Sequence, residues 1–419
     1  MQSRCFRMAL LVGCLAYAGI AEGQSVPDLQ NAKIQQAVRV FTGRADALMA
    51  EHIRISEIPA PYEDEGARAA YMRDRFIELG LQDVHIDAAG NAVGRYPGRE
   101  KGPGVCLAAH LDTVFPPETD VTVQKKDDRY YGPGMSDNGA GLIALISLIQ
   151  ALNTADITPR RDVLFIANVG EEGKGDLSGM RYLFGDSPLK KDIAYFVSID
   201  GAGESGICNG AIGSRRYAVT FKGPGGHSWG SFGMANPLHA MSRAIDQFVT
   251  YQVPESPKTT FSVGTVSGGT SVNSIPFAVT IEVDMRSEDD EELRKIDAWF
   301  LECVQAGVDE EKAWAKPGRQ LVEADIVLIG DRPSGMTPQN SFIARAAVAS
   351  KKALGITSAF RTGSTDSNIP ISLGIPAITV GSGGSGGGAH STAEWYNPEG
   401  AERGLSALLL TMLTLAEGE

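Results

Sequence analysis

Four short runs, residues 105–109, 163–167, 194–199 and 377–380, contain no charged side chain and are built almost wholly from apolar and small residues. A strand that alternates apolar and polar residues has one wet face, whereas a strand that is apolar throughout must be covered on both sides. Segments of helical period separate these runs. The chain is therefore restricted to an α/β architecture, a parallel or mixed sheet with helices on both faces. In such sheets the polar residues that follow a buried strand gather beyond its carboxyl end. Here they are His110 with Asp112, Glu171 with Glu172, and Asp200.

Residues 31–58 carry apolar side chains at helical spacing (Ile34, Val38, Phe41, Ala45, Leu48) and stop at Pro59-Ala60-Pro61, which predicts one helix and a break. A helix over 66–81, strands over 84–87 and 91–96, and a helix over 142–152 follow. Between about 213 and 331 the texture changes. Strands over 217–222, 261–266, 277–285 and 326–329 combine with helices over 237–249 and 291–304 in the order β-α-β-β-α-β, a small α+β sandwich. A helix over 341–354, the run 377–380 and a closing helix over 404–416 return to the first pattern. The reading is a main domain made of 27–212 and 332–419, with 213–331 inserted between its halves. No internal repeat is seen.

At 419 residues the chain is too long for one ordinary core. Hydrophobic content of 43% with 21% charged residues is that of a globular domain, and no apolar run reaches the roughly 18 residues a spanning helix needs. The first 23 residues differ from the rest. Arg4 and Arg7 precede a mostly apolar stretch from Met8 to Ile20, and Ala21-Glu22-Gly23 follows, which predicts a signal peptide and export to a periplasm or the medium. A lipoprotein signal ending at Cys14 ranks second. A formal charge of −13 with no clustered Lys/Arg stripe argues against nucleic acid and other polyanions as partners. Beyond the leader, Cys106, Cys208 and Cys303 are widely scattered, so neither a disulfide framework nor a cysteine metal motif is expected.

A strand ending in His110-Leu111-Asp112 can turn both polar side chains the same way, so that the histidine ligates a metal and the carboxylate orients it. Asp137 lies in the glycine-packed turn 132–141, ahead of an apolar helix, where it can cap that helix or bridge two metals. Glu171-Glu172 sits between glycines after the run 163–167. Adjacent carboxylates there can be plain surface, or can divide labour, one ligating a metal and the other accepting a proton from water. Asp200 follows the run 194–199. His390 follows the glycine-rich stretch 381–388, which has no Gly-Lys-Ser/Thr end and so is a poor phosphate loop. Taken together, the set reads as a two-metal hydrolase.

The segments AAHLDTVFP, YGPGMSDNGAG, NVGEEG, SIDG and GSGGGAHSTAEW, in this order and at these separations, resemble the di-zinc exopeptidase family of peptidase T, glutamate carboxypeptidase and aminoacylase. The resemblance spans nearly the whole chain after the leader. It implies a mixed-sheet α/β zinc-peptidase catalytic domain with an inserted lid and dimerisation domain. It further implies two Zn2+ ions per subunit, with Co2+ or Mn2+ as substitutes. His110, Asp137 and Asp200 would hold one, and Glu172, Asp137 and His390 the other, with Asp137 bridging. Glu171 would be the general base and acid, Asp112 would orient His110, and the Asp137-Asn138 bond would be cis. In the inserted domain, His227 would stabilise the oxyanion in the active site of a partner subunit. Asn273 and Arg286 would bind substrate, Arg286 through a terminal carboxylate.

Two departures from the family pattern bear on the expected substrate pocket: Trp229 stands where alanine is usual, and Asn138 where lysine is common. Aspartate at position 200 is typical of the family's aminopeptidase and dipeptidase branches, glutamate of its carboxypeptidase and deacylase branches. The resemblance therefore implies a di-/tripeptide aminopeptidase. The alternative is an amidohydrolase or carboxypeptidase that releases an amino acid from an N-acyl conjugate. A third reading, a binding protein that has kept only the fold, is disfavoured because every metal and acid/base position is filled.

Overall fold

The computed structural model describes residues 26–418. The leader expected over 1–23, with Cys14, lies outside them. Nine strands form the main sheet, in the order Gln82–Ile86, Ala92–Tyr96, Val163–Asn168, Gly104–His110, Ile193–Ile199, Ala377–Val380, Gly206–Ala211 and Gly335–Met336, with Ala359–Gly363 also pairing Gly206–Ala211. The four apolar runs are its centre. Gly104–His110 pairs in parallel with both Val163–Asn168 and Ile193–Ile199, and Ala377–Val380 pairs in parallel with Ile193–Ile199. All four carboxyl ends therefore lie along one edge, which explains why residues far apart in sequence can meet there.

Helix Ala140–Thr154 shows why the sheet needs cover on both faces: every residue from Ala140 to Leu152 is buried. A helix that is apolar all round has no solvent side and belongs in a core. Joined to the turn before it, Met135–Thr154 is long and apolar enough to cross a membrane, yet 94% of its apolar window is buried inside the fold. It packs beside Ala32–Gly43, Ala45–Ser56 and Ala401–Glu417 on one face of the sheet.

The single helix expected over 31–58 is two helices, Ala32–Gly43 and Ala45–Ser56. Gly43 is a weak helix residue, and Arg44 leaves helical geometry at φ −122°. The apolar spacing runs across this break because both helices bury the same side, so periodicity alone does not reveal it.

Residues 213–332 build a second sheet in the order Thr259–Gly268, Ala278–Ser287, Gly213–Lys222, Glu323–Arg332, all antiparallel. Helices Pro237–Phe248 and Asp290–Trp314 cover one face, closing a core of its own around Val219, Phe221, Phe248, Ile281 and Phe300. Both helices start as their sequences dictate, with Asn236 ahead of Pro237 and Asp289 accepting the Glu292 N–H at 3.0 Å. A two-stranded ribbon, Gly226–His227 with Ser274–Ile275, projects beside this sheet.

Candidate metal centre

His110 ends its strand fully enclosed, and Leu111 N–H bonds to the Asn168 carbonyl at 2.7 Å, keeping the two neighbouring strand ends level. The ring is oriented from both sides. Nδ1 lies 3.1 Å from the Asp112 carbonyl and 3.5 Å from the Asp112 carboxylate, while Nε2 faces Asp137 Oδ1 at 3.0 Å and Asp200 Oδ1 at 3.8 Å. The Asp112 carboxylate has a second task that the sequence does not suggest. Its oxygens accept the backbone N–H groups of Glu171, at 3.0 Å, and Glu172, at 2.7 Å. One buried carboxylate thus ties the histidine strand to the acidic loop.

Asp137 stands between the two histidines, with Oδ1 towards His110 and Oδ2 3.3 Å from His390 Nε2. The Asp137-Asn138 peptide is cis, as expected. The turn carrying it is clamped by Glu394, a fully buried residue whose carboxylate accepts N–H groups from Gly134 at 3.1 Å, Ser136 at 2.6 Å and Asp137 at 2.7 Å. Burial pushes the Glu394 carboxyl up to about 7 in spite of those three donors. Asn138 is buried behind the turn. It donates to the Ile199 carbonyl at 2.8 Å and accepts from Gly141 N–H, so it fixes the turn to the strand that precedes Asp200. It does not line the cavity, which corrects the placing of this departure in a substrate pocket.

Glu172 Oε1 meets His390 Nε2 at 2.9 Å. His390 itself sits at φ 64°, a left-handed conformation held at the end of the glycine-rich stretch. Three groups of possible ligands result, each with its donor atoms within 4.8 Å of one another: His110-Asp137-Asp200 and Asp137-Glu172-His390, which share Asp137, and His110-Glu171-Glu172. The electrostatics show how acidic the pocket is. Burial alone would lower the His110 pKa, but the carboxylates of Asp112, Asp137 and Asp200 raise it well above the usual imidazole value. Asp137 moves down: burial opposes its ionisation, and His110 and His390 overcome that. Carboxylates outnumber cationic partners at this edge, and imidazole with carboxylate is a donor set suited to zinc, cobalt or manganese. The residues fit a pair of divalent cations.

Glu171 is buried beside this cluster and belongs to the third group, outside the two that share Asp137. Burial raises its pKa well above the ordinary carboxylate range, with Arg332 pulling the other way. The cavity in front, of about 350 Å3, is lined by Asp137, Glu171, Glu172, Asp200 and His390. Arg216, Arg286 and Arg332 line it as well. Arg286 is thus brought to the cleft, with Nε 2.8 Å from Asp284 Oδ2; Arg216 Nε takes the other oxygen of Asp284, also at 2.8 Å. His227 and Asn273 are not brought there. They lie on the exposed ribbon, where Ser228 N–H bonds to the Asn273 carbonyl at 2.9 Å. Trp229, at 88% exposed, is likewise outside the cavity of one chain.

Sequence reasoning missed Glu394, Arg216 and Arg332. Glu394 had a signal, since it falls inside the segment GSGGGAHSTAEW four residues after His390. Arg332 closes an ordinary strand and had none.

Comparison with known proteins agrees with this geometry. The profile of Peptidase family M20/M25/M40 matches residues 106–414. A succinyl-diaminopimelate desuccinylase of Corynebacterium glutamicum is 25% identical over 270 residues, covering 62% of this chain and 72% of its own length. Among solved structures, a tripeptidase of Staphylococcus aureus superposes with a TM-score of 0.73 at 22% identity, over 88% of this chain and 98% of that one. The dipeptidase Dug1p of Saccharomyces cerevisiae gives 0.74 at 14% identity, over 92% and 99%. The order and spacing of the cluster residues, the sheet that gathers them and the profile match lead to one conclusion: the chain belongs to Peptidase family M20/M25/M40 and is a hydrolase of peptide or amide bonds.

Proposed function

We propose that the protein is an exported exopeptidase acting on short peptides, of the di-/tripeptide aminopeptidase type, with two divalent cations, zinc by preference. The observation that carries the metal reading is Asp137, whose two oxygens face two different histidines. His110, Asp137 and Asp200 would hold one ion, and Asp137, Glu172 and His390 the other. When bound, such a pair lowers the pKa of water and polarises the scissile carbonyl. Glu171 takes the proton from the attacking water and returns it to the leaving amine, a role suited to a buried carboxylate with a raised pKa. Arg286, which lines the cavity, binds the substrate carboxylate. His227 and Asn273, exposed on the ribbon, would reach the active site of a second subunit in a homodimer.

Aspartate at position 200 and the tripeptidase and dipeptidase likenesses support peptides as substrates. A second reading, release of an amino acid from an N-acyl conjugate, is favoured by the desuccinylase relative and by three guanidinium groups in one cleft. A panel of di- and tripeptides beside N-acetyl and N-succinyl amino acids separates them. Turnover of the peptides is expected, and turnover of the acylated set alone would replace the first reading by the second.

Glu394→Gln tests the clamp on the bridging residue. The amide lacks the charge and one of the two acceptor oxygens on which three N–H groups converge. Loss of outer partners of this kind typically weakens metal binding about 10- to 100-fold. Competition with a chelator of known affinity should show a change of that size, and unchanged affinity would remove Glu394 from the account.

A further inference from the structure

The loop 171–176 is held by more than its own domain. Residues of the inserted sheet grip it at several points: Arg216 Nη1 donates to the Gly173 carbonyl at 2.9 Å, Lys174 pairs with Glu282 at 3.3 Å, and Asp331 N–H bonds to Asp176 Oδ1 at 3.0 Å. The deepest contact is Arg332, which ends the last strand of that sheet and is 4% exposed. Its Nη1 donates to Glu171 Oε1 at 3.3 Å and to Ser364 Oγ at 3.1 Å, and its Nη2 donates to the Glu171 backbone carbonyl. One guanidinium thus holds both the carboxylate and the main chain of a single residue. Among the described residues its Nε finds no hydrogen-bond partner, and it lies 4.0 Å from Asp176 Oδ1.

A carboxylate on a loop between glycines has rotamer and backbone freedom. Proton transfer needs it within hydrogen-bond reach of water, and misplacement by about 1 Å can cost about 100-fold in rate. Arg332 removes that freedom at two points of the same residue. A planar fork does this better than a lysine, whose single ammonium cannot hold two acceptors in fixed relation. We propose that Arg332 is a positioning residue, fixing Glu171 in line for proton transfer and anchoring the acidic loop to the inserted domain. This rests on the reading of Glu171 as the proton carrier.

The test is a double-mutant cycle with Arg332→Met and Glu171→Gln in the metal-loaded enzyme, with metal content measured on every variant. Arg332→Met alone is expected to lower kcat about 100-fold, with KM changed less than about threefold and metal content unchanged. In the Glu171→Gln background the same change should cost less than about threefold, because nothing is left to position. Arg332→Lys should keep an intermediate kcat, and added guanidinium ion should recover part of the rate lost in Arg332→Met. Should Arg332→Met fail to fold, Arg332→Lys carries the same cycle. Equal losses in both backgrounds would overturn the proposal. So would a rise in KM at constant kcat, which would make Arg332 a substrate binder, or a loss of metal. Full activity of Glu171→Gln by itself would instead refute the role of Glu171, and this proposal with it.

Discussion

Replacing Glu171 by alanine is expected to lower kcat by about 100- to 10,000-fold and to leave the metal content as it was. The two effects separate because Glu171 lies outside the two groups that share Asp137; its carboxylate is near His110 and Glu172 but is held by Arg332. KM should change little, since the side chain is set to act on the attacking water. The fold should tolerate the change. Its carboxyl is buried and raised in pKa, so removing it relieves a desolvation cost even as it leaves Arg332 with one partner fewer. Steady-state kinetics with metal analysis on the same preparation is the check. Unchanged kcat would take the proton work away from Glu171, and loss of one ion would make it a ligand.

Asp137→Ala should have the larger effect, because it removes the residue shared by the two groups proposed to hold the ions. Each group then keeps only two donors, His110 with Asp200 and Glu172 with His390. A fall in activity beyond that of Glu171→Ala, more than about 10,000-fold, is expected, with metal content below one ion per chain after gel filtration. The turn itself should survive, since Glu394 holds it through backbone N–H groups and Asn138 holds it through the Ile199 carbonyl, neither using the Asp137 side chain. A circular dichroism spectrum matching the wild type would establish that. Retention of both ions would show that Asp137 does not bridge.

How much of this could be read from the sequence follows from where each interaction lives. The central strands were legible because burial on both faces leaves a run with no charged position, and the residues just past His110, Asn168 and Ile199 then fall at one sheet edge by geometry. The break at Arg44 was hidden because the buried face continues across it. Arg332 and Glu394 act on residues 161 and up to 260 positions away; Glu394 falls in the segment that carries His390, whereas nothing in the local pattern of Arg332 announces its role. Asp112 was placed correctly beside His110, while its hold on the Glu171 and Glu172 backbone needed the parallel register of two strands to appear. The departures at Asn138 and Trp229 were located by resemblance, and the fold moves one behind the ligand turn and the other onto an exposed ribbon.

In the proposed centre a pair of cations shares one aspartate. Anomalous diffraction from crystals of the zinc-loaded protein, recorded on both sides of the zinc edge, tests it directly. Two peaks flanking the Asp137 carboxylate, one beside His110 and Asp200 and the other beside Glu172 and His390, are the predicted result. A single peak, or none in a preparation that hydrolyses peptides at full rate, would contradict it.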